Sequence, residues 1–433
     1  MGRSHVSALV QQHPQYVLAF LAFVVFFLGL AVSIARPMDL SAGQNGSWFG
    51  VIQNVQQGRG FKSCEMDYVP NCALTEQYTA TREPIPVFLF AFLGTLTNNS
   101  VLLFELFQIS MVILILFGVF QIGRELGGPG TGLVAALLWV TYLPAVRLET
   151  SLTGDLLEGV FVAFGFLRFI RILQDNQWKD WLGFGILFGL AALSRSAALI
   201  LVFSLGLVYI LSLVLNRRGI PERLFLNISV SVLAFVLILL PWFIRNWLTF
   251  DQPLIGGTLL GYNLYRHNAI VAQDEPAHYV GPVEAQRLVD ELVARHPEMM
   301  TPLNEAAVDD IFRQEAIQLI QAHPLRYMKL SFYRFLPLWF NIGVDEQYGN
   351  DMSTFDVLIV IEQTVILLFL MLGLRAGGRF VRLMGLAVAI YLLAYMAIEA
   401  QLRYVIPVAS IILAIASIGI SSLLPESLRS ARR

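Results

Sequence analysis

Six charged residues sit at the margins of apolar segments: Asp39, Arg82, Asp155, Arg195, Arg245 and Arg403. A charge at membrane depth is costly unless it is paired or put to use. Together these residues can do one kind of chemistry well. Arginine presents a planar fork of donors that matches phosphate oxygens, and cations placed where charge develops on a departing phosphate lower the barrier. A carboxylate beside them can take the proton of an attacking hydroxyl. Taken singly, each has an ordinary role. Asp39 and Asp155 suit helix caps or exposed charges, and the arginines can snorkel to lipid headgroups. Cys64 and Cys72 are the only cysteines and share one polar stretch. An oxidising compartment permits a disulfide between them; otherwise they are two free thiols.

What is missing narrows the chemistry further. There is no Gly-rich phosphate loop, no G-x-S-x-G elbow and no His/Cys cluster with metal spacing. Of the six histidines, only His267 and His278 lie near enough to consider as a metal pair, and a solvated loop accounts for them. No metal site and no cofactor are expected, with a divalent cation left open. The net charge of −2 says nothing about nucleic acid, but the lack of a basic tract that could grip phosphates gives no reason to expect it as a partner.

The elements that must position these residues are apolar helices. Hydrophobic residues make up 56% of the 433 and charged residues 14%, with a mean hydropathy of +0.65. Soluble domains carry roughly 25% charged residues, so this chain cannot cover its surface against water. Apolar blocks run over 16–34, 101–121, 129–145, 153–170, 181–194, 196–215, 224–243, 355–374, 381–398 and 405–424. Most reach or approach the roughly 17–25 residues that cross the hydrocarbon, so the expectation is an all-α bundle of about ten crossings. The first block is too long for a signal peptide and has no small-residue cleavage site after it.

Short basic loops stay in the cytoplasm. Those with Arg124, Arg168/Arg171/Lys179, Arg217/Arg218/Arg223 and Arg375/Arg379/Arg382, and the Arg429/Arg432/Arg433 tail, fall on one side if both termini are inside. The long connections 36–85 and 245–354 then face outward; the second holds 14 Asp/Glu against 8 Lys/Arg. In 36–85, glycines and aromatics are scattered without strong periodicity, which marks a functional loop more often than an incidental one. Residues 87–95 suit a helix lying along the outer interface. Segment 285–322 reads as soluble helix, with Ala285, Leu288, Val289 and Leu292 on one side. Asn304 is placed to cap a second helix, in which Ala307, Ile311, Ala316, Leu319 and Ile320 recur at helical spacing. His323-Pro324 stops it. Residues 325–340 mix cations with aromatics, as an interfacial helix does. No soluble domain is expected after the last helix.

Several short motifs follow one another in an order that resembles the GT-C superfamily of integral membrane glycosyltransferases, in the branch of protein O-mannosyltransferases and the lipid A aminoarabinose transferase. They run from Trp48-Phe49 through Gly58-Arg59-Gly60-Phe61 to Arg82-Glu83-Pro84-Ile85-Pro86 and Gly189-Leu190-Ala191-Ala192-Leu193-Ser194-Arg195. Pro241-Trp242-Phe243-Ile244-Arg245-Asn246 and Gly261-Tyr262-Asn263-Leu264-Tyr265 come next, then Glu315-Ala316-Ile317 with His323-Pro324, and last Gln401-Leu402-Arg403-Tyr404.

The resemblance implies a single GT-C-like membrane domain in a bacterial inner membrane, moving a sugar from a polyprenyl-phosphate donor to a lipid, glycan or protein acceptor on the outer face with inversion. Arg82, Arg195, Arg245 and Arg403 would hold the donor phosphate. Tyr262, Asn263, Lys329, Arg334 and Trp339 would line the lipid groove. The family's acid in the first outer loop falls here on Asn45, which makes Asp39 the nearest candidate base, with Asp155 and Asp67 in reserve. The larger relatives carry a further outer domain, so acceptor recognition would fall to the two long loops or to an accessory protein. Two other readings compete: a lipid transporter or flippase, which predicts charges near the midplane of several helices, and a catalytically inactive relative that binds lipid.

Overall fold

Where no water can satisfy the backbone, helices are the solution open to a chain like this one. A computed structural model describes residues 14–41, 43–65, 69–74, 78–216, 221–273, 275–344 and 353–423. Among them there is no strand, only an isolated bridge between Lys62 and Tyr78. Asp67, Arg217, Arg218 and the Arg429/Arg432/Arg433 tail lie outside the described residues.

The elements run in order as α1 (Pro14–Ala35), α2 (Gly43–Gln56), α3 (Pro84–Thr97), α4 (Val101–Gly127), α5 (Pro129–Val140), α6 (Leu143–Leu148), α7 (Asp155–Asp175), α8 (Trp178–Ser194) and α9 (Ala198–Asn216). They continue as α10 (Leu224–Phe250), α11 (Leu260–Asn268), α12 (Pro282–Arg295), α13 (Glu305–Ala322), α14 (Pro324–Tyr333), α15 (Phe335–Phe340), α16 (Thr354–Ala376), α17 (Arg379–Ile398) and α18 (Ile406–Leu423).

Among the described residues, seven helices are long and apolar enough to cross a membrane: α1, α4, α9, α10, α16, α17 and the Leu402–Leu423 stretch that contains α18. The ten expected crossings are therefore not all of one kind. The block at 129–145 is split between α5 and α6. At twelve residues α5 rises about 18 Å, too little for the hydrocarbon. Helices α7 and α8 carry Asp155, Glu158, Arg168, Arg171 and Asp180, which dilute their apolar character. Both pack against other helices, which spares much of their length from facing lipid.

At the centre of the bundle stands α18, with 89% of the Leu402–Leu423 window buried against 28% for α1 and 22% for α16. Its Ala, Ser and Gly residues let neighbours approach closely, as small residues do in membrane bundles. Gly373 of α16 lies against the Ile415 carbonyl and Gly419 of α18 against the Phe369 carbonyl, so neither position has room for a side chain.

Helices α11 to α13 form a lobe with its own core, in which Tyr262, Tyr265, Leu288, Leu292, Val308 and Phe312 meet. Ala285, Leu288, Val289 and Leu292 share the buried face of α12 as expected, and the Asn304 side chain caps α13 by accepting from the Ala307 amide at 2.9 Å. The buried stripe of α13 is offset from expectation. Val308, Phe312 and Ala316 point inward, while Ile311 and Leu319 flank the core. The expected helix over 325–340 is two pieces broken at Arg334. Pro337 has no N–H to give to the carbonyl one turn back, which ends the regular ladder there.

The segment between α2 and α3 is fastened to this lobe. The Asn71 amide donates to the carbonyls of Thr301 and Leu303, and the Glu305 carboxylate accepts from the Ala80 amide at 2.8 Å and from the Thr258 hydroxyl. Cys64 and Cys72 are joined in a disulfide that closes the loop, Cα to Cα 5.2 Å.

Candidate active site

The candidate site forms where the ends of α7, α8 and α17 meet the Leu402–Val405 turn that leads into α18. Asp155 opens α7 and is fully buried. Arg195 follows the last turn of α8 in extended conformation, which carries its side chain across to Asp155, with an N–O distance of 2.7 Å. The Arg195 guanidinium also lies over the Tyr404 ring, 4.7 Å from its centre. Arg403 meets the same ring at 5.2 Å and donates to the Tyr404 hydroxyl at 3.3 Å. Tyr404 in turn donates to Glu399 at 2.5 Å, and Asn263 reaches the same oxygen at 3.4 Å. The other Glu399 oxygen is 3.2 Å from His267.

This chain of contacts runs from the start of α7 to His267 and Asn263 of the lobe. Burial lowers His267 to about 4, so its ring is neutral near pH 7 and supplies a hydrogen bond rather than a charge. Burial alone would raise Glu399, but the hydrogen bonds from His267 and Tyr404 and the charge of Arg403 outweigh it and keep Glu399 an anion. Two guanidinium groups thus share one aromatic ring between carboxylates on either side. Arginine forks held in this way suit an incoming phosphate without first having to be ordered.

Of the sequence-predicted residues, the structure brings Asp155, Arg195, Arg403 and Asn263 into this one cluster. Asp39 is exposed, and its carboxylate accepts from the amide and hydroxyl of Ser41 at 2.8 and 2.7 Å. Asn45, at the position of the family's acid, donates to the Asp39 carbonyl at 3.0 Å and accepts from the Leu152 amide at 2.8 Å. It ties the start of α2 to the segment that leads into Asp155. Arg82 is buried and pairs with Glu65 at 2.7 Å, next to the disulfide. Arg245 is enclosed by the rings of Phe61, Trp242 and Phe250 and donates to Asn246 and the Phe61 carbonyl.

The expected groove residues stand in different surroundings. Tyr262 packs on Phe312 in the lobe core. Trp339 is buried and donates to the Gln363 carbonyl, and Lys329 is exposed. Arg334 is buried and donates to the Met396 and Ala397 carbonyls at 3.0 and 3.1 Å, where a cation complements the C-terminal end of α17.

Sequence reasoning missed Glu83, Glu158 and Glu399. Glu83 accepts from the Ser196 amide at 3.2 Å, beside Arg195. Glu158 is fully buried one turn after Asp155, and its carboxylate oxygens have no hydrogen-bond partner among the described residues. The signal for Glu158 was available: two acids three apart inside an apolar block face the same way on a helix. As for metal ligands, Glu275, His278 and Glu284 are the trio among the described residues whose ligand atoms lie within 4.8 Å of one another.

Comparison with known proteins gives this geometry a context. Residues 81–242 match the family model described as dolichyl-phosphate-mannose-protein mannosyltransferase. Arg82, Asp155 and Arg195 lie inside that stretch, and Arg245 just beyond it. No curated protein matches the sequence.

Among solved structures, the chain is similar to the apo oligosaccharyltransferase of Archaeoglobus fulgidus at TM-score 0.55 and 14% identity, covering 94% of this chain and 50% of that one. The oligosaccharyltransferase AglB of the same organism, in complex with an inhibitory peptide and a dolichol-phosphate, aligns at TM-score 0.52 and 14% identity over 95% and 50%. ArnT from Cupriavidus metallidurans bound to undecaprenyl phosphate aligns at TM-score 0.44 and 11% identity over 94% and 78%. The chain spans about half the length of the archaeal proteins it matches. It shares the fold of the archaeal oligosaccharyltransferase, and its segment 81–242 matches the mannosyltransferase family model.

Proposed function

We propose that this chain transfers a glycosyl unit from a polyprenyl-phosphate donor to a lipid, glycan or protein acceptor, with inversion at the anomeric carbon. The observation that carries this reading is the Asp155–Arg195–Tyr404–Arg403 cluster at one end of a GT-C bundle. In the likeness at TM-score 0.52, the archaeal protein holds a dolichol-phosphate, which supports a lipid-phosphate donor here.

Arg195 and Arg403 take the donor phosphate between them, and Asp155 holds Arg195 in place. Asp39 accepts the proton of the acceptor hydroxyl as its oxygen attacks the anomeric carbon. The bond from that carbon to the phosphate oxygen breaks, and the lipid phosphate leaves with the bonding pair against the two guanidinium groups. No step is assigned to a metal or cofactor. The basic loops support a site on the outer face of a bacterial inner membrane, with the termini inside. Acceptor selection falls to the outer lobe, alone or with an accessory protein.

The test is transfer by the purified full chain from radiolabelled polyprenyl-phosphate mannose, and from other polyprenyl-phosphate sugars, to membrane extract. Asp39→Asn and Arg195→Gln are expected to abolish it with expression unchanged. Full activity of Asp39→Asn rejects Asp39 as base. One observation favours a second reading, an inactive lipid-binding relative. Asn45 stands where the family's acid would be and is spent on the Leu152 amide, while Asp39 is engaged by Ser41. Donor binding without transfer from any sugar selects that reading.

A further inference from the structure

Tyr209 of α9 stands between two cavities far from the candidate active site. Helix α7 runs from Asp155 at that site to Asp175, a rise of about 30 Å, so its far end lies at the opposite end of the bundle. There a cavity of about 450 Å³ opens between the ends of α7, α9 and α17, with Asp175, Asn176, Ser212 and Arg379 in its wall. On the other side of Tyr209 a second cavity, of about 240 Å³, lies between α8, α9 and α10 and is lined almost wholly by apolar atoms, including those of Phe169, Trp181 and Phe235. Tyr209 lines both.

The gap has a packing cause. Helix α8 lies tightly on α10, where Gly185 meets the Ser231 backbone. Helix α9 packs instead on α17. A space is left between α9 and α10, and Ile210 on its wall is 60% exposed, so it opens laterally. Gly206 also faces it, and a side chain added there would meet nothing within 4 Å.

A cavity with charged and polar groups in its wall at the bundle end, adjoining across Tyr209 an apolar slot within the span, matches the anatomy of a phospholipid. The charges narrow the headgroup. Arg379 offers a cation to a phosphate, and Asp175 in the same wall offers an acceptor to an ammonium. An anionic headgroup leaves Asp175 unmatched, and a trimethylated one has no N–H to give it.

We propose that these two cavities hold one phospholipid with a primary-amine headgroup, of the phosphatidylethanolamine type, in the leaflet opposite the candidate active site. The site is separate from that of the donor lipid and does not depend on the transfer reaction.

The experiment is native mass spectrometry of the full chain in detergent, titrated with phosphatidylethanolamine, phosphatidylglycerol or phosphatidylcholine of equal chain length. The first should be retained roughly tenfold more strongly than the others, about the effect of one charge-assisted hydrogen bond. Gly206→Leu puts a side chain into the slot at a position where its Cβ meets open space, and should remove that preference while elution profile and helical content stay unchanged. Asp175→Asn should erase the discrimination against phosphatidylglycerol. Arg379→Gln, a change at an exposed residue, should weaken retention of both phosphatidylethanolamine and phosphatidylglycerol, and decides the matter should Gly206→Leu not fold. Equal retention of the three lipids by the unaltered chain overturns the proposal, as does unchanged retention in Gly206→Leu or Arg379→Gln.

Discussion

Asp155 and Arg195 form the most consequential pair in the bundle, and the pairing can be measured. Asp155 is fully buried, Arg195 keeps 16% of its side chain exposed, and their charged atoms are 2.7 Å apart. Asp155→Asn preserves volume but leaves the guanidinium without its main counter-charge. Breaking one side of such a pair costs about 3–5 kcal/mol. Arg195 keeps the Tyr404 ring and the nearby Glu83, which places the expected loss near the lower end, about 3 kcal/mol. Arg195→Met should cost a similar amount, because it strands Asp155 beside the already unpartnered Glu158. The double substitution strands neither charge and should be less damaging than the sum by about 2 kcal/mol. Dodecyl sulfate titration in mixed micelles, followed by circular dichroism, gives all four free energies. Additivity within about 0.5 kcal/mol would show that the two residues do not act as a pair, and the view of Asp155 as the residue that positions Arg195 would fall with it.

Two further outcomes test the lobe and the bundle. Burial raises Asp309 to about 7 and Glu305 to about 6, although backbone amides favour their ionised forms. Both carboxyls hold their protons more tightly folded than unfolded, so the lobe should lose stability as pH rises from about 4 and level off above about 7. Hydrogen exchange at the Gly261 and Tyr262 amides, which donate to Asp309 at 2.9 Å each, reports this opening. Asp309→Asn should remove the slope between about pH 6 and 7 and leave the Glu305 part below it; an unaltered slope refutes the assignment. In the bundle, Gly373→Ala drives a methyl group into the Ile415 carbonyl and should destabilise by about 1–3 kcal/mol. Gly206→Ala meets open space and should be neutral or stabilising, since alanine is the better helix former by about 1 kcal/mol. Equal shifts from the two changes would reject the close crossing of α16 and α18.

The helical class of this protein was legible in its sequence because hydrocarbon leaves the backbone little choice. A long apolar run such as 224–243 forms a helix wherever it sits in the bundle. Local signals were equally plain. Asn304 caps α13, and His323-Pro324 ends it, because capping and proline chemistry act within a turn. The order of short motifs led to the GT-C fold, and the placement of arginines and acids at helix ends led to Asp155, Arg195 and Arg403.

Composition alone could not rank the helices. That α18 is the central one, and that α5 is too short to cross, follows from which faces meet and where the chain turns. Nor could it sort one arginine from another. Arg195, Arg334 and Arg82 look alike as isolated cations near apolar segments. Yet Arg195 reaches Asp155 and Tyr404, Arg334 closes the end of α17, and Arg82 is matched by Glu65 beside the disulfide. Those partners lie 17 to 209 residues away in the chain, and electrostatic roles are set by distance and burial. Sequence supplied the charges and the helix ends that carry them; tertiary packing alone decided which partner each guanidinium would meet.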